Sequence, residues 1–121
     1  MNQLPTIECI SAVTMFTADM ARSLAFYRAL GFAVTQGGEH ACFTSLRAGA
    51  GYLNLALGRA PAQPWGRVIL HVADVDTMYR TARAAGLQPE MAPANADWGE
   101  RYFHLRDPDG NELSFARPLA R

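Results

Sequence analysis

The sequence predicts an α+β protein in which two βαβββ modules form a mixed sheet around a cleft. The main observation is an internal repeat, because DMARSLAFYRALG at residues 19–31 is matched in register by DVDTMYRTARAAG at residues 74–86. Each copy begins with an Asp suited to cap a helix and ends with a Gly suited to stop it. Each copy also follows one apolar run and precedes others, as a strand–helix–strand unit requires. The turn DPDGN at residues 107–111 adds a strong hairpin signal.

The first module is predicted to span about residues 7–58. An alternating segment at residues 7–16 predicts its first strand. Apolar residues then recur at helical spacing after Asp19 and stop at Gly31, which predicts a helix. Three more strands are predicted, one beginning at residue 32 and the others covering residues 40–46 and 51–57.

A linker at residues 59–65 contains two prolines, which cannot continue a strand ladder. The second module, about residues 66–118, repeats the order of the first. Its first strand covers residues 67–72, and its helix begins at Asp74 and ends at Gly86. Three further strands are predicted at residues 87–92, 101–106 and 112–117. All 121 residues are predicted to form one domain, since this length fits one core but not two independent ones.

Composition limits the kinds of partner. The formal net charge is zero, whereas a protein that binds nucleic acid or an anionic membrane needs a basic surface, so neither partner is expected. No apolar stretch reaches membrane-spanning length and no secretory leader is recognised, which indicates a cytoplasmic protein. Cys9 and Cys42 follow no metal-binding spacing. We expect both to be buried thiols, with a single bridge between them as the alternative.

The period of two along a strand separates side chains that face the helix from those that face away. A three-residue loop within DPDGN places His104 beside Ser114 on the outward side. The outward side chains are polar or aromatic, and such a face is either a solvated surface or dimer contact, or the wall of a ligand cleft. We expect a small-molecule cleft lined by Thr14, Phe16, Tyr52, Asn54, Arg67, His71, Trp98, Tyr102, His104 and Ser114.

Two tryptophans and two arginines bear on the chemistry of the ligand. Trp65 and Trp98 lie in predicted loops, where they either cover the core or stack on a planar ligand. Arg67 and Arg101 either pair with a ligand carboxylate or phosphate or lie ion-paired at the surface. An aromatic or anionic ligand would use both features.

The repeated segments and the DPDGN turn, together with VADVD at residues 72–76, resemble the vicinal oxygen chelate superfamily of glyoxalase I, bleomycin resistance proteins, fosfomycin resistance enzymes and extradiol dioxygenases. The resemblance covers residues 7–118, and WGERYFHLRDPDGN at residues 98–111 is most similar to the bleomycin-resistance branch. It implies the glyoxalase/bleomycin resistance/dioxygenase fold, antibiotic or metabolite binding, and a homodimer with clefts shared between subunits. Bleomycin is a cation, so a neutral chain with an arginine in its cleft is expected to bind another molecule.

The resemblance also implies four metal-ligand positions, which the metal-dependent members fill with His, Gln or Glu. In this sequence they fall on Ala12, Arg67, Ser114 and either Asn54 or Ala56. None of these side chains is imidazole, carboxylate or thiolate, the donors that open enzymatic metal sites use. We therefore expect no metal and no other cofactor at these positions.

Enzymatic alternatives remain open. A displaced set of His71, His104 and Glu112 could hold iron or zinc, although an ion pair between Glu112 and Arg106 competes with it. With such a metal the chain would be a lyase, isomerase, dioxygenase or thiol transferase with non-standard ligands. A metal-free enzyme with His104 or His71 as general base is a further alternative. The sequence favours a metal-independent binding protein that has no catalytic residues.

Overall fold

The computed structural model describes residues 7–59 and 66–120. The predicted linker, including Trp65 but not its first residue, lies outside this part of the chain. The division between the modules therefore stays a prediction. The first module consists of β1 (Ala12–Thr17), α1 (Met20–Ala29), β2 (Val34–Gln36), β3 (Phe43–Ala48) and β4 (Gly51–Leu57). The second consists of β5 (Arg67–His71), α2 (Val75–Ala84), β6 (Ala94–Asn95), β7 (Glu100–Arg106) and β8 (Glu112–Pro118).

Each module forms one four-stranded mixed sheet. The strand orders are β1-β4-β3-β2 and β5-β8-β7-β6, so the two sheets have the same topology. In both, the first strand runs parallel to the last, while the remaining pairs are antiparallel. The predicted α+β class and its two βαβββ units are confirmed.

The repeated Asp and Gly residues form the ends of the helices. Asp19 accepts a hydrogen bond of 3.0 Å from the backbone N–H of Arg22, and Asp74 accepts one of 3.1 Å from that of Thr77. These bonds satisfy amide groups that the first turn of a helix leaves without partners, and they hold the pKa of the Asp74 carboxyl below its usual value. Gly31, just beyond α1, has a φ of 97°, which an L side chain rarely adopts.

The alternation along the strands places aliphatic side chains in one core that joins both modules. Leu53 and Leu55 of β4, and Phe103 and Leu105 of β7, are almost fully buried. Tyr27 of α1 is fully buried against this cluster. The aliphatic face of each sheet is therefore covered, and the opposite face is left for function.

The DPDGN turn connects the second module to the first. Asp109 accepts hydrogen bonds from the hydroxyl of Thr17, the backbone N–H of Ala18 and the guanidinium of Arg22, at 2.6, 2.9 and 2.9 Å. Asn111 donates to the carbonyl of Phe16 at 3.3 Å. These contacts give the turn a structural role at the joint between the modules.

Four strand predictions need correction. No strand forms at residues 87–92, where Pro89 lies; the short strand is instead Ala94–Asn95, which pairs with β7. β1 begins at residue 12 rather than 7, because its partner β4 begins only at residue 51 and offers no ladder further back. β2 and β3 also begin later than predicted, at residues 34 and 43 rather than 32 and 40.

The cysteine prediction was wrong, since Cys9 and Cys42 are both exposed free thiols. Cys9 lies before β1, near the start of β4, whereas the carbonyl of Cys42 accepts a hydrogen bond from Leu57 at the end of β4. The length of a strand separates them, so they do not form the alternative bridge. In the described ranges, no helix is long and apolar enough to cross a membrane.

Candidate functional site

Each sheet turns a polar and aromatic face outward. Face one consists of the outward side chains of β1, β4 and β3: Ala12, Thr14, Phe16, Tyr52, Asn54, Ala56, Phe43, Ser45 and Arg47. Face two consists of Trp98 and the outward side chains of β5, β8 and β7: Arg67, Ile69, His71, Glu112, Ser114, Ala116, Glu100, Tyr102, His104 and Arg106. All ten residues that the sequence predicted for the cleft lie on one of these two faces.

The strand register of the second sheet organises face two into three rows. Across β5, β8 and β7 the rows are His71–Ala116–Tyr102, Ile69–Ser114–His104 and Arg67–Glu112–Arg106. On the central strand, β8, the two residues nearest the aromatic rings are the small Ala116 and Ser114. Their exposed fractions are only 1% and 4%. Larger side chains rise from the strands on either side. Face two is therefore a trough with a floor of Ser114 and Ala116.

The wall of the trough along β7 is a run of rings. The ring centroids of Trp98 and Tyr102 are 5.3 Å apart, and those of Tyr102 and His104 are 5.0 Å apart. Trp98 is 65% exposed, which is high for a tryptophan and places its ring at the open rim. Such a surface can stack on a planar molecule.

Hydrogen bonds hold the rim at the His71 end. The Glu100 carboxylate lies 3.1 Å from Nε2 of His71 and accepts a bond of 3.1 Å from the indole N–H of Trp98. Sequence reasoning missed Glu100, although the period of two along β7 places it on the same side as Tyr102 and His104. The carboxylate orients both rings, so it belongs to the site as a positioning group.

The other end of the trough carries an ion pair. Arg67 donates from Nε to Oε2 of Glu112 at 3.1 Å, and this bond lowers the pKa of the Glu112 carboxyl. The expected pair between Glu112 and Arg106 is wrong, because Arg106 instead donates to Glu90 at 3.3 Å. Arg101 faces away from the trough and donates two hydrogen bonds of 2.8 Å to Asp76 on α2. It is therefore ion-paired at the surface and does not anchor a ligand in the trough.

His104 lies between the rings and the ion pair. Its burial, followed by the positive charge of Arg67, lowers the pKa of the imidazole, while Glu112 and Glu90 act in the opposite direction. These influences favour the neutral form of the imidazole. Its Nδ1 is buried and has no hydrogen-bond partner among the described residues.

Face one is built from a second set of aromatic and amide groups. The guanidinium of Arg47 lies 4.6 Å from the ring centroid of Tyr52, and Asn54 donates to the Thr14 hydroxyl at 3.3 Å. Phe16 and Phe43 stand on either side of Ala56 and are nearly half exposed. Sequence reasoning missed Phe43, which the alternation with buried Thr44 and Leu46 would have placed on this face.

A groove of about 520 Å³ runs between the edge strands β1 and β5. It brings Tyr52 of face one into the same space as Arg67 and Ile69 of face two. A second groove of about 320 Å³ lies over Tyr52 and Asn54 on face one. The structure thus links the two faces at the β1–β5 edge, whereas Thr14 and Phe16 lie apart from the trough.

The side chains at the four implied metal positions do not fit a metal ion. Arg67 carries a permanent positive charge and is bonded to Glu112, while Ala12 has no donor atom. The alternative metal site of His71, His104 and Glu112 is wrong. His71 pairs with Glu100 and lies beside Ala116, which is four residues, or about 13 Å, along β8 from Glu112. Within residues 7–59 and 66–120, no three His, Cys, Asp or Glu side chains form a group that could hold a metal.

Comparison with known proteins agrees with this architecture. The sequence model of the glyoxalase/bleomycin resistance protein/dioxygenase superfamily matches residues 10–115. A bleomycin-binding protein solved with bleomycin is 25% identical, with a TM-score of 0.75 over 92% of this chain and 98% of that one. A bleomycin resistance determinant encoded on the transposon Tn5 is 24% identical, with a TM-score of 0.78 over 93% and 100%.

A lactoylglutathione lyase from Agrobacterium tumefaciens has the same fold at 19% identity, with a TM-score of 0.77 over 93% of this chain and 95% of that one. No curated protein matches the sequence.

Proposed function

Because the chain belongs to the glyoxalase/bleomycin resistance protein/dioxygenase superfamily, we propose that it binds a small molecule without the help of a metal ion. The observation that carries the proposal is the trough of face two. An arginine held by Glu112 occupies a position that metal-dependent relatives give to a ligand, and stacked rings line the opposite wall. A cation at this position repels a metal and leaves a shaped, partly apolar surface for an organic molecule.

The proposed cleft uses both faces. Phe16 and Phe43 of face one and Ile69 and Trp98 of face two expose 46 to 65% of their surface, and exposed apolar side chains of this size mark a binding surface. We propose a homodimer in which a second copy covers these faces, so that face one of one subunit closes the trough of the other. The bleomycin-binding protein among the similar structures supports a drug or metabolite as the occupant, with an antibiotic-resistance role as one form of it.

Two unbridged cysteines suit a reducing compartment, so we propose that the protein acts in the cytoplasm.

The test is a ligand screen by thermal shift and tryptophan fluorescence on dialysed full-length protein in EDTA. The proposal predicts saturable hits that bind with unchanged affinity when manganese, iron, nickel or zinc replaces EDTA, and that weaken at least tenfold in Trp98→Ala. Leu57→Ala is the matched control, because Leu57 is an exposed apolar side chain outside both faces. Binding that appears only with metal, or turnover that EDTA abolishes, would replace the proposal with a metal-dependent enzyme.

A further inference from the structure

We propose that the trough of face two selects planar aromatic molecules that carry a negative charge, such as aromatic carboxylates, over neutral and cationic analogues. This inference rests on the proposed function and specifies the class of ligand.

The shape of the trough fits a ring. Neighbouring strands are about 4.8 Å apart, so the walls on β5 and β7 stand about 10 Å apart over the small floor residues. Ile69 forms one wall and Tyr102 the other, with Ser114 and Ala116 beneath. A flat ring can lie on this floor or against the Trp98–Tyr102 wall, whereas a bulky aliphatic ligand would leave both surfaces poorly packed.

Arg67 supplies the positive charge. Its Nε–H is bonded to Glu112, which fixes the side chain and leaves the two terminal nitrogens without a partner among the described residues. These nitrogens present paired N–H groups, the arrangement that binds a carboxylate or phosphate in a bidentate manner. Arg67 also lines the groove between β1 and β5, so an anion can reach it.

Neutral donors surround the same point. Ser114 of β8 is 4% exposed and lies between Ile69 of β5 and His104 of β7. This row is next to the row that contains Arg67. The Ser114 hydroxyl makes no hydrogen bond to another described residue. The His104 ring lies beside Ser114 in the same row and donates through Nε2 in the tautomer that carries its proton there. A carboxylate held by Arg67 would therefore find further donors on the floor and wall of the trough.

The acidic side chains of face two are already paired with donors of the same face. Glu112 is bonded to Arg67, and Glu100 is engaged by both His71 and Trp98. A cationic ligand in this part of the trough would be repelled by the charge of Arg67, whereas an anionic ligand adds to the terminal nitrogens of Arg67 without displacing a bond seen in the structure.

The test uses three ligands with one ring system: indole-3-acetate, indole-3-acetamide and tryptamine, which are anionic, neutral and cationic at pH 7.5. Isothermal titration of the full chain should show indole-3-acetate binding at least tenfold more tightly than the other two. Arg67→Gln should abolish this preference. Arg117→Gln is the matched control, because Arg117 is an exposed arginine of β8 that points away from face two, and it should retain the preference.

Equal affinity for the three ligands, or an anion preference that survives Arg67→Gln, would overturn the charge assignment. If all three bind equally and weaken in Trp98→Ala, the proposed binding function stands while the ligand class is wrong. If none binds while the wider screen yields metal-independent hits of other shapes, the ligand class is again wrong. Failure of the proposed function itself is a different result, namely binding or turnover that requires a metal. Circular dichroism of each variant checks that the fold is retained.

Discussion

The hydroxyl of Tyr27 donates a hydrogen bond of 2.8 Å to Asp107, a residue 80 positions further along the chain. Tyr27 is on the helix of the first module, and Asp107 begins the DPDGN turn of the second. The tyrosine is fully buried, and burial followed by the charge of Asp107 raises its pKa well above the ordinary value. The phenol therefore stays protonated and acts as a fixed donor across the joint.

Tyr27→Phe should destabilise the protein by about 1–2 kcal/mol, because it removes a buried hydrogen bond to a charged acceptor while keeping the ring. Asp107→Ala should cost more, since Asp107 also accepts bonds from the backbone N–H groups of Asp109 and Asn111 and from the Asn111 side chain. Urea unfolding at pH 7 measures both free energies of unfolding. Tyr79→Phe, which removes only an exposed hydroxyl contact with Arg83, is the control and should change stability by less than about 0.5 kcal/mol.

His104 should titrate below the ordinary histidine value of about 6.5, because burial and Arg67 disfavour its charged form. The NMR titration of its ring protons measures this pKa directly. Arg67→Gln should raise the pKa by removing the positive charge, since Glu112 and Glu90 then dominate the local field. A pKa that falls or stays unchanged in Arg67→Gln would contradict the placement of the two side chains.

The lowered pKa of His104 also makes the free energy of unfolding depend on pH. Because the folded state binds the His104 proton less readily than the unfolded state does, this contribution to stability is fully present above about pH 6.5 and is lost as the pH falls toward the folded pKa. His104→Asn should therefore lose less stability than the wild type when the pH is lowered from 7.5 to 5.5, as measured by urea unfolding.

The proposed shared cleft predicts a dimer that depends on the exposed rings. Size-exclusion chromatography with light scattering should give twice the chain mass of 13.2 kDa. Phe16→Glu should shift the protein toward the monomer, because it places a charge among apolar side chains that a second copy covers. Ala21→Glu, a charge on an exposed helix position, should leave the dimer intact. A wild-type protein that is monomeric at high micromolar concentration would contradict the shared cleft.

Local patterns predicted the hairpin but not the long-range partners. The DPDGN turn and the period of two placed His104 opposite Ser114, and the structure confirms this pairing. The sequence suggested Arg106 as the partner of Glu112 because both lie on that hairpin. Arg67 reaches Glu112 instead through the parallel β5–β8 register, which no turn in the sequence specifies.

The contacts between the two modules could not be predicted from the sequence either. Asp109 looks like an ordinary turn residue in the sequence, and its bonds to Thr17, Ala18 and Arg22 depend on how two separate modules pack. The two thiols were misjudged for a related reason: Cys9 precedes β1 and Cys42 precedes β3, where the alternation that governs burial does not apply.

Metal stoichiometry tests whether the proposed cleft works without a metal ion. Untagged protein is incubated with manganese, iron, nickel and zinc, dialysed, and analysed by mass spectrometry for bound metal per chain. We expect less than about 0.1 equivalent of any metal, because the side chains at Ala12, Arg67 and Ser114 supply no imidazole, carboxylate or thiolate. Close to one equivalent that survives dialysis and is lost in His104→Ala or Glu112→Gln would contradict this expectation.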